Sequence, residues 1–92
     1  MSPPSIAERK MMFSPKGEAT RHELTIRVGV PYWDKDGFGR CPVEYEGLFA
    51  SMDHAPGVDL LDALVRAADV EKTLRALSGK YDFFWSNGES YF

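Results

Sequence analysis

The clearest pattern in the chain is an alternation of apolar and polar residues over residues 22–30, HELTIRVGV. The apolar positions are two residues apart, which is the period of a β-strand with one buried face and one face in water. These apolar residues are Leu24, Ile26, Val28 and Val30. Pro31 follows and has no backbone N–H for a strand ladder, so we predict that this strand ends at residue 30.

An earlier strand is predicted over residues 6–13, IAERKMMF. Its pattern is mixed, because strand geometry puts Ile6 and Met12 on one face but Met11 and Phe13 on the other. The segment between the two strands, SPKGEATR, contains a proline and a glycine, which are typical of a turn. The two strands are therefore expected to be antiparallel neighbours.

A third strand is predicted over residues 40–47, after a hairpin turn at Asp36-Gly37. Cys41, Val43 and Tyr45 share one face of this strand, and that face is expected to be the apolar one. Pro42, on the other face, favours an edge position or a bulge.

One amphipathic helix is predicted over residues 58–77, after a long connection over residues 47–57. Apolar residues recur there at spacings of three and four, which makes a continuous stripe along one face. The stripe consists of Leu60, Ala63, Leu64, Ala67, Val70, Leu74 and Leu77. Gly79 can end the helix in the left-handed conformation. A last strand is predicted over residues 81–85, YDFFW.

These elements predict an α+β domain with the order β-β-β-α-β. Short connections make the first three strands antiparallel, and a helix that joins two neighbouring strands of a sheet returns the chain in parallel. We therefore expect a small four-stranded mixed, mostly antiparallel sheet with one helix on one face. Residues 1–5 are expected to be a disordered or frayed start, and residues 6–92 a single domain.

The composition excludes several classes of function. The chain has 92 residues, of which 43% are hydrophobic and 27% charged, with a net charge of −3. This charge provides no concentrated basic footprint for nucleic acid. No stretch reaches the roughly 20 apolar residues of a membrane span. One cysteine cannot form an internal disulfide, and the start has no apolar signal region, so we expect a cytoplasmic protein.

Four short motifs together resemble a known family. They are IAER near the start, LTIRVGVP, RCPVEYEGL, and GVDLLDALVRA at the predicted helix start. Their order is similar to that of an uncharacterised family of small bacterial proteins, a domain of unknown function, from Ile6 to about Trp85. Gly39 departs from the pattern, which has an aromatic residue before the Arg-Cys pair. The resemblance implies a compact α+β domain and implies no activity.

The polar side chains offer two catalytic hypotheses, and neither is favoured. Cys41 could form a thiolate paired with His22 or His54, and Asp53 with His54 could form a small hydrolytic site. Because Cys41 shares its parity with apolar residues, we expect a buried and inert thiol instead. We therefore assign no catalytic residue and expect no enzyme.

The stretch DKDG, residues 34–37, has the spacing of the first residues of a calcium loop. Phe38, Arg40 and Pro42 stand where oxygen ligands should follow, and Tyr45 stands where a glutamate is required. We predict a solvated hairpin turn, and we expect neither a metal site nor a cofactor.

The aromatic residues reach 13% of the chain and crowd one loop and the last 12 residues. One helix covers only one face of a sheet, so some rings are expected to remain available to a partner. We predict a protein-interaction module that binds a protein or a second copy through its sheet face or its terminal strand. A ligand pocket between helix and sheet is a third hypothesis. The candidate contact residues are Trp33, Phe38, Phe84, Trp85, Tyr91 and Phe92.

Overall fold

The computed structural model describes residues 4–92, which fold into an antiparallel sheet with a bent helix on one face. In chain order the elements are β1 (Ser5–Pro15), β2 (His22–Gly29), β3 (Tyr32–Trp33), β4 (Gly39–Glu46), β5 (Asp53–Gly57), α1 (Leu60–Ala68), α2 (Val70–Leu77) and β6 (Tyr81–Trp85). The α+β class is confirmed. The predicted frayed start lies mostly outside the described residues, and Ser5 already belongs to β1.

The sheet is built around β4, which has partners on both edges. On one edge, β2 and then β3 pair with it, with Val28 opposite Val43 and Trp33 opposite Gly39. On the other edge, β5 pairs with the same stretch of β4: Gly57 lies opposite Gly39, and Asp53 lies opposite Val43. Beyond β2 come β1 and then β6, so that β5 and β6 form the two edges of the sheet.

The prediction of four strands in a mixed sheet was wrong, because the described sheet has six strands and all its pairings are antiparallel. The extra strand β5 reverses the chain once more before the helix begins. The helix therefore joins β5 to β6, which run in the same direction, as expected for a crossover. Because these strands lie at opposite edges, no parallel pair forms.

The helix is divided into two segments at Asp69. This residue has φ −78° and ψ 62°, outside the helical range, although its N–H still reaches the Val65 carbonyl at 3.1 Å. The first segment begins after Asp59, whose side chain accepts a hydrogen bond from the Asp62 N–H at 2.8 Å. Such an N-cap satisfies one of the free donors of the first turn. The predicted helix over residues 58–77 thus begins two residues later and bends near its middle.

The core lies between the helix and the face of the sheet that the alternation predicted. The buried apolar residues form one cluster. They include Met11, Phe13, Leu24, Ile26, Val28, Cys41, Val43, Tyr45, Ala55, Ala63, Ala67, Val70, Leu74 and Phe83. Val30 was expected among them but is exposed, because β2 ends at Gly29 and Val30 lies in the two-residue break before β3. In residues 4–92 neither helical segment is long and apolar enough to cross a membrane.

Candidate functional site

Cys41 lies on the helix-covered face of β4 and is fully buried. Its Sγ donates a weak hydrogen bond to the Gly29 carbonyl oxygen at 3.4 Å. Burial raises the pKa of the Cys41 thiol, because the charged thiolate is disfavoured away from water. His54 pairs with Pro42, the next residue of β4, so its side chain points to the opposite face of the sheet. The cysteine and this histidine are therefore not brought together.

The histidines have other partners than the predicted ones. His54 Nδ1 lies 2.9 Å from the hydroxyl oxygen of Tyr32. The Asp53 carboxylate accepts the backbone N–H of His54 at 2.9 Å. His22 packs against Phe13, with 5.3 Å between the ring centroids. The structure thus assembles neither an aspartate–imidazole pair nor a cysteine–imidazole pair from these residues.

Asp34 organises the turn of the β3–β4 hairpin. Its Oδ1 accepts the backbone N–H groups of Asp36 and Phe38 at 2.9 and 3.0 Å, and its Oδ2 lies 3.1 Å from Arg40 Nε. The N–H of Phe38, helped by Arg40, holds the pKa of Asp34 below its ordinary value. Gly37 has φ +84°, which favours glycine. The predicted hairpin turn is confirmed, and residues 4–92 contain no group of three potential metal ligands of the His, Cys, Asp or Glu type.

The helix-free face of the sheet is ionic at its centre. Arg27 Nη1 contacts the carboxylates of Glu44, at 2.9 Å, and Glu46, and its Nε lies 3.4 Å from Glu8. The hydrogen bonds to Glu46 and Glu44 raise the pKa of Arg27, so its charge is permanent. A partner that dried this face would have to remove these ions from water, which is costly.

The six predicted contact residues fall into two groups. Four of them lie near the end of the chain and are called the C-terminal aromatic cluster: Trp85, Tyr91 and Phe92, whose rings contact one another in turn, and Phe84, which lies on the other face of β6. Trp85 and Tyr91 are 4.6 Å apart between ring centroids. The Arg9 guanidinium lies 5.1 Å from the centre of the Trp85 ring and donates a hydrogen bond to the Tyr91 hydroxyl at 2.6 Å. These rings are therefore engaged within the chain.

The rest of the C-terminal aromatic cluster is also covered by arginines. Arg21 lies 3.8 Å from the centre of the Phe84 ring, and Arg75 lies 4.6 Å from that of Phe92. Contacts of this kind are attractive because the ring face carries negative charge. The cluster therefore presents arginine-capped rings rather than a bare apolar surface.

Both edges of the sheet are protected against strand addition. Along the outer edge of β6, the Tyr91 N–H donates to the Phe83 carbonyl at 2.9 Å and the Trp85 N–H donates to the Glu89 carbonyl at 2.8 Å. The chain's own last residues thus pair with this edge. The other edge, β5, has five residues and contains Pro56, which has no N–H to donate.

The other two predicted residues, Trp33 and Phe38, lie on the β3–β4 hairpin and are 55% and 53% exposed. Neither makes an aromatic or cation–π contact within the described chain. Gly39, which follows this hairpin, lies against the start of α1, since its Cα is adjacent to the Asp59 carbonyl group. Phe38 also lines one shallow depression with Val58. The hairpin and the first turns of α1 therefore share one corner of the molecule.

Three further apolar residues are exposed on the adjoining segment, just before α1 and along its outer side, and the sequence interpretation missed them. Val58 is 72% exposed, Leu61 69% and Val65 59%. With Trp33 and Phe38 they make up what we call the apolar corner. The signal in the sequence was that Leu61 and Val65 are apolar, four residues apart, and outside the inward stripe of the helix.

The comparisons with known proteins add no relative. No family model matches the chain, no curated protein matches it, and no solved structure matches it. The resemblance to an uncharacterised bacterial family therefore stays a prediction.

Proposed function

We propose that the protein is a non-catalytic, cytoplasmic interaction module that pairs with a second copy of itself through the apolar corner. The observation that carries the proposal is the exposure of five large apolar side chains, between 53% and 72%, on one hairpin and the adjoining helix start. Large apolar side chains exposed on adjoining elements are typical of protein contact sites.

The apolar corner is a better contact surface than the two surfaces first expected. The helix-free sheet face carries Arg27 with its three carboxylates, which are costly to desolvate. The C-terminal aromatic cluster already packs on itself and on arginines. Trp33 and Phe38, by contrast, hold large rings in water, and tryptophan is favoured at the centre of interfaces.

A second copy is the partner that suits the charges at this corner. Asp62 and Arg66 lie one turn apart on α1 and form an ion pair of 3.3 Å, with Arg66 61% exposed. A two-fold axis across α1 would bring Asp62 of each copy towards Arg66 of the other. The same patch is then complementary to itself, as a symmetric dimer requires. A standard interface buries about 800 Å² per partner, roughly an eighth of the 5994 Å² surface of the chain.

The oligomeric state tests the proposal. In a concentration series that reaches about 500 µM, we expect the native chain to sediment as a dimer. The double variant Leu61→Glu with Val65→Glu should sediment as a monomer throughout, because burying two charges in each copy would oppose pairing. Glutamate is a good helix former, so the variant should keep its circular dichroism and its unfolding midpoint.

Ile6→Glu is the matched control. Ile6 is 52% exposed on β1, outside the apolar corner, so this variant should remain a dimer. A native chain that is monomeric throughout the concentration range, or a dimer that survives both glutamates in α1, would overturn the proposal.

A further inference from the structure

A small groove opens between the first half of β1 and the bend of the helix, away from the apolar corner. Its volume is about 210 Å³. Most of its lining is apolar: Ala7, Ile26, Val28, Ala68 and Val70. Two charged residues, Glu8 and Arg9, complete the wall. The groove exists because α1 packs mainly over β4 and β5, which leaves the β1 side of the sheet less covered.

Arg9 differs from the other arginine of this part of the sheet. Arg27 contacts three carboxylates, whereas Arg9 has no carboxylate within 4.0 Å among residues 4–92. Arg9 is nevertheless half-buried, and its guanidinium is held over the rings of Trp85 and Tyr91 at 5.1 and 5.8 Å. The aromatic rings thus fix a positive charge at the edge of an apolar groove.

The hydrogen-bonding capacity of Arg9 is mostly unused. A guanidinium has five N–H donors in a planar fork. Within the described chain, one of them is used, by the hydroxyl of Tyr91 at 2.6 Å. The fork geometry matches the two oxygens of a carboxylate. The neighbouring Glu8 does not occupy this position, since its carboxylate lies 3.4 Å from Arg27.

We propose that this groove binds a small organic carboxylate, with the carboxylate on Arg9 and the apolar tail between Val28, Ala68 and Val70. The volume limits the tail, because it is below the roughly 300–1,000 Å³ of pockets for drug-sized ligands. A medium-chain fatty acid or an arylalkanoic acid fits this size and chemistry. This binding site is independent of the proposed dimer and lies elsewhere on the molecule.

Tryptophan fluorescence provides the readout, because the Trp85 ring contacts Arg9 directly. In a Trp33→Phe background, Trp85 is the single tryptophan of the chain. Octanoate, kept below its micellar concentration, should change the fluorescence emission of Trp85, and this change should reach a plateau as the site fills. Octanamide has the same tail without the charge, and acetate has the charge without the tail. Each should bind about tenfold or more weakly than octanoate, since one charge-assisted contact or the tail burial is lost.

Variants of Arg9 test the role of the fork. Arg9→Met should weaken octanoate binding by about tenfold or more, and Arg9→Lys should fall between, because lysine keeps the charge but not the paired donors. Arg21→Met is the matched control: Arg21 also covers a ring, that of Phe84, but does not line the groove. It should leave the affinity unchanged.

A groove-filling variant keeps the test decisive if the Arg9 variants fold poorly. Ala68 lies exposed at the end of α1, and Ala68→Leu should block the groove while Arg9 stays in place. Octanoate binding should then be lost without a change in the unfolding midpoint. Equal affinity for octanamide and octanoate, or full binding by Arg9→Met or by Ala68→Leu, would refute the site.

Discussion

At the scale of single residues, the chemistry of Cys41 is decided by the face of β4 on which it lies. The alternation with Val43 and Tyr45 predicted the helix-covered face, and the side chain is indeed fully buried. Burial raises the pKa of the thiol and removes it from reagents in solution. One residue further along β4, the side chain would have faced His54 on the open side.

We therefore expect Cys41 to be alkylated slowly by iodoacetamide in the native protein, at least about tenfold more slowly than an exposed thiol, because labelling needs a local opening. The reference is a Cys41→Ala protein with Ser51→Cys, since residue 51 is exposed. Mass spectrometry over time at pH 7.5 measures both rates. Equal rates in the two proteins would contradict a buried, inert thiol, and urea should remove the difference.

At the scale of elements, the close approach of α1 to the ends of β4 and β5 depends on two glycines. A Cβ on Gly39 would overlap the carbonyl oxygen of Asp59, and a Cβ on Gly57 would overlap the backbone N of Ala63. Neither glycine has a positive φ, so the requirement is one of space. These glycines bring the start of α1 next to the hairpin and thereby create the apolar corner.

We expect Gly39→Ala to lower the free energy of unfolding by about 1–3 kcal/mol, because the helix start must move away from β4. Urea unfolding followed by circular dichroism measures the change. Gly79→Ala is the control, since no atom lies within 4 Å of its added Cβ and its φ is not positive. That change should stay within about 0.5 kcal/mol of the native value or stabilise slightly. Similar losses for both variants would contradict the packing explanation.

The elements with a clear period could be predicted from the sequence, and those without one could not. Leu24, Ile26 and Val28 alternate, and β2 was found with the expected buried face. In β5, Ala55 alone is buried and a proline interrupts the strand, so no alternation marks it. Missing β5 also made the prediction of a mixed sheet wrong, because one uncounted strand inverts the direction in which β6 returns.

The candidate sites show the same limit for a different reason. The alternation of side chains along β4 placed Cys41 on the correct face. No periodicity in the sequence, however, indicates that Arg9 contacts Trp85 and Tyr91, which are more than 70 residues away along the chain. The exposure of Leu61 likewise depends on where β4 and β5 lie under α1. Contacts between distant segments follow from the sheet order, which the sequence pattern left open.

At the scale of the whole molecule, the apolar corner is held in place by the β3–β4 hairpin and the start of α1, and a carboxylate stabilises each of these two segments. Asp34 accepts the N–H groups of the hairpin turn, and Asp62 accepts the Val58 N–H at 2.9 Å before α1. The Val58 N–H and the nearby Arg66 lower the pKa of Asp62, as the Phe38 N–H does for Asp34. Each carboxylate is thus more acidic in the folded chain than in the unfolded chain.

This sign fixes the direction of the pH dependence. Around pH 4 the unfolded chain, with ordinary aspartate pKa values of about 3.9, binds more protons than the folded chain, so stability rises with pH there. The contribution of Asp34 and Asp62 should be complete above about pH 5 and should disappear as the pH falls through their lowered pKa values. We expect the urea midpoint to be flat from pH 7 to 5 and to fall below pH 4.

The double variant Asp34→Asn with Asp62→Asn separates these two carboxylates from the other acids. An asparagine oxygen can still accept the backbone N–H groups, but it cannot titrate. The variant should be less stable at pH 7 and should show a shallower loss towards pH 3, so that the two proteins converge in acid. Asp36→Asn is the control in the same turn, since its side chain makes no hydrogen bond in the described chain, and its curve should follow the native one. Parallel curves for the native and double-variant proteins would mean that the turn and the helix start do not depend on ionised aspartates. The corner would then owe its position to the glycine contacts alone.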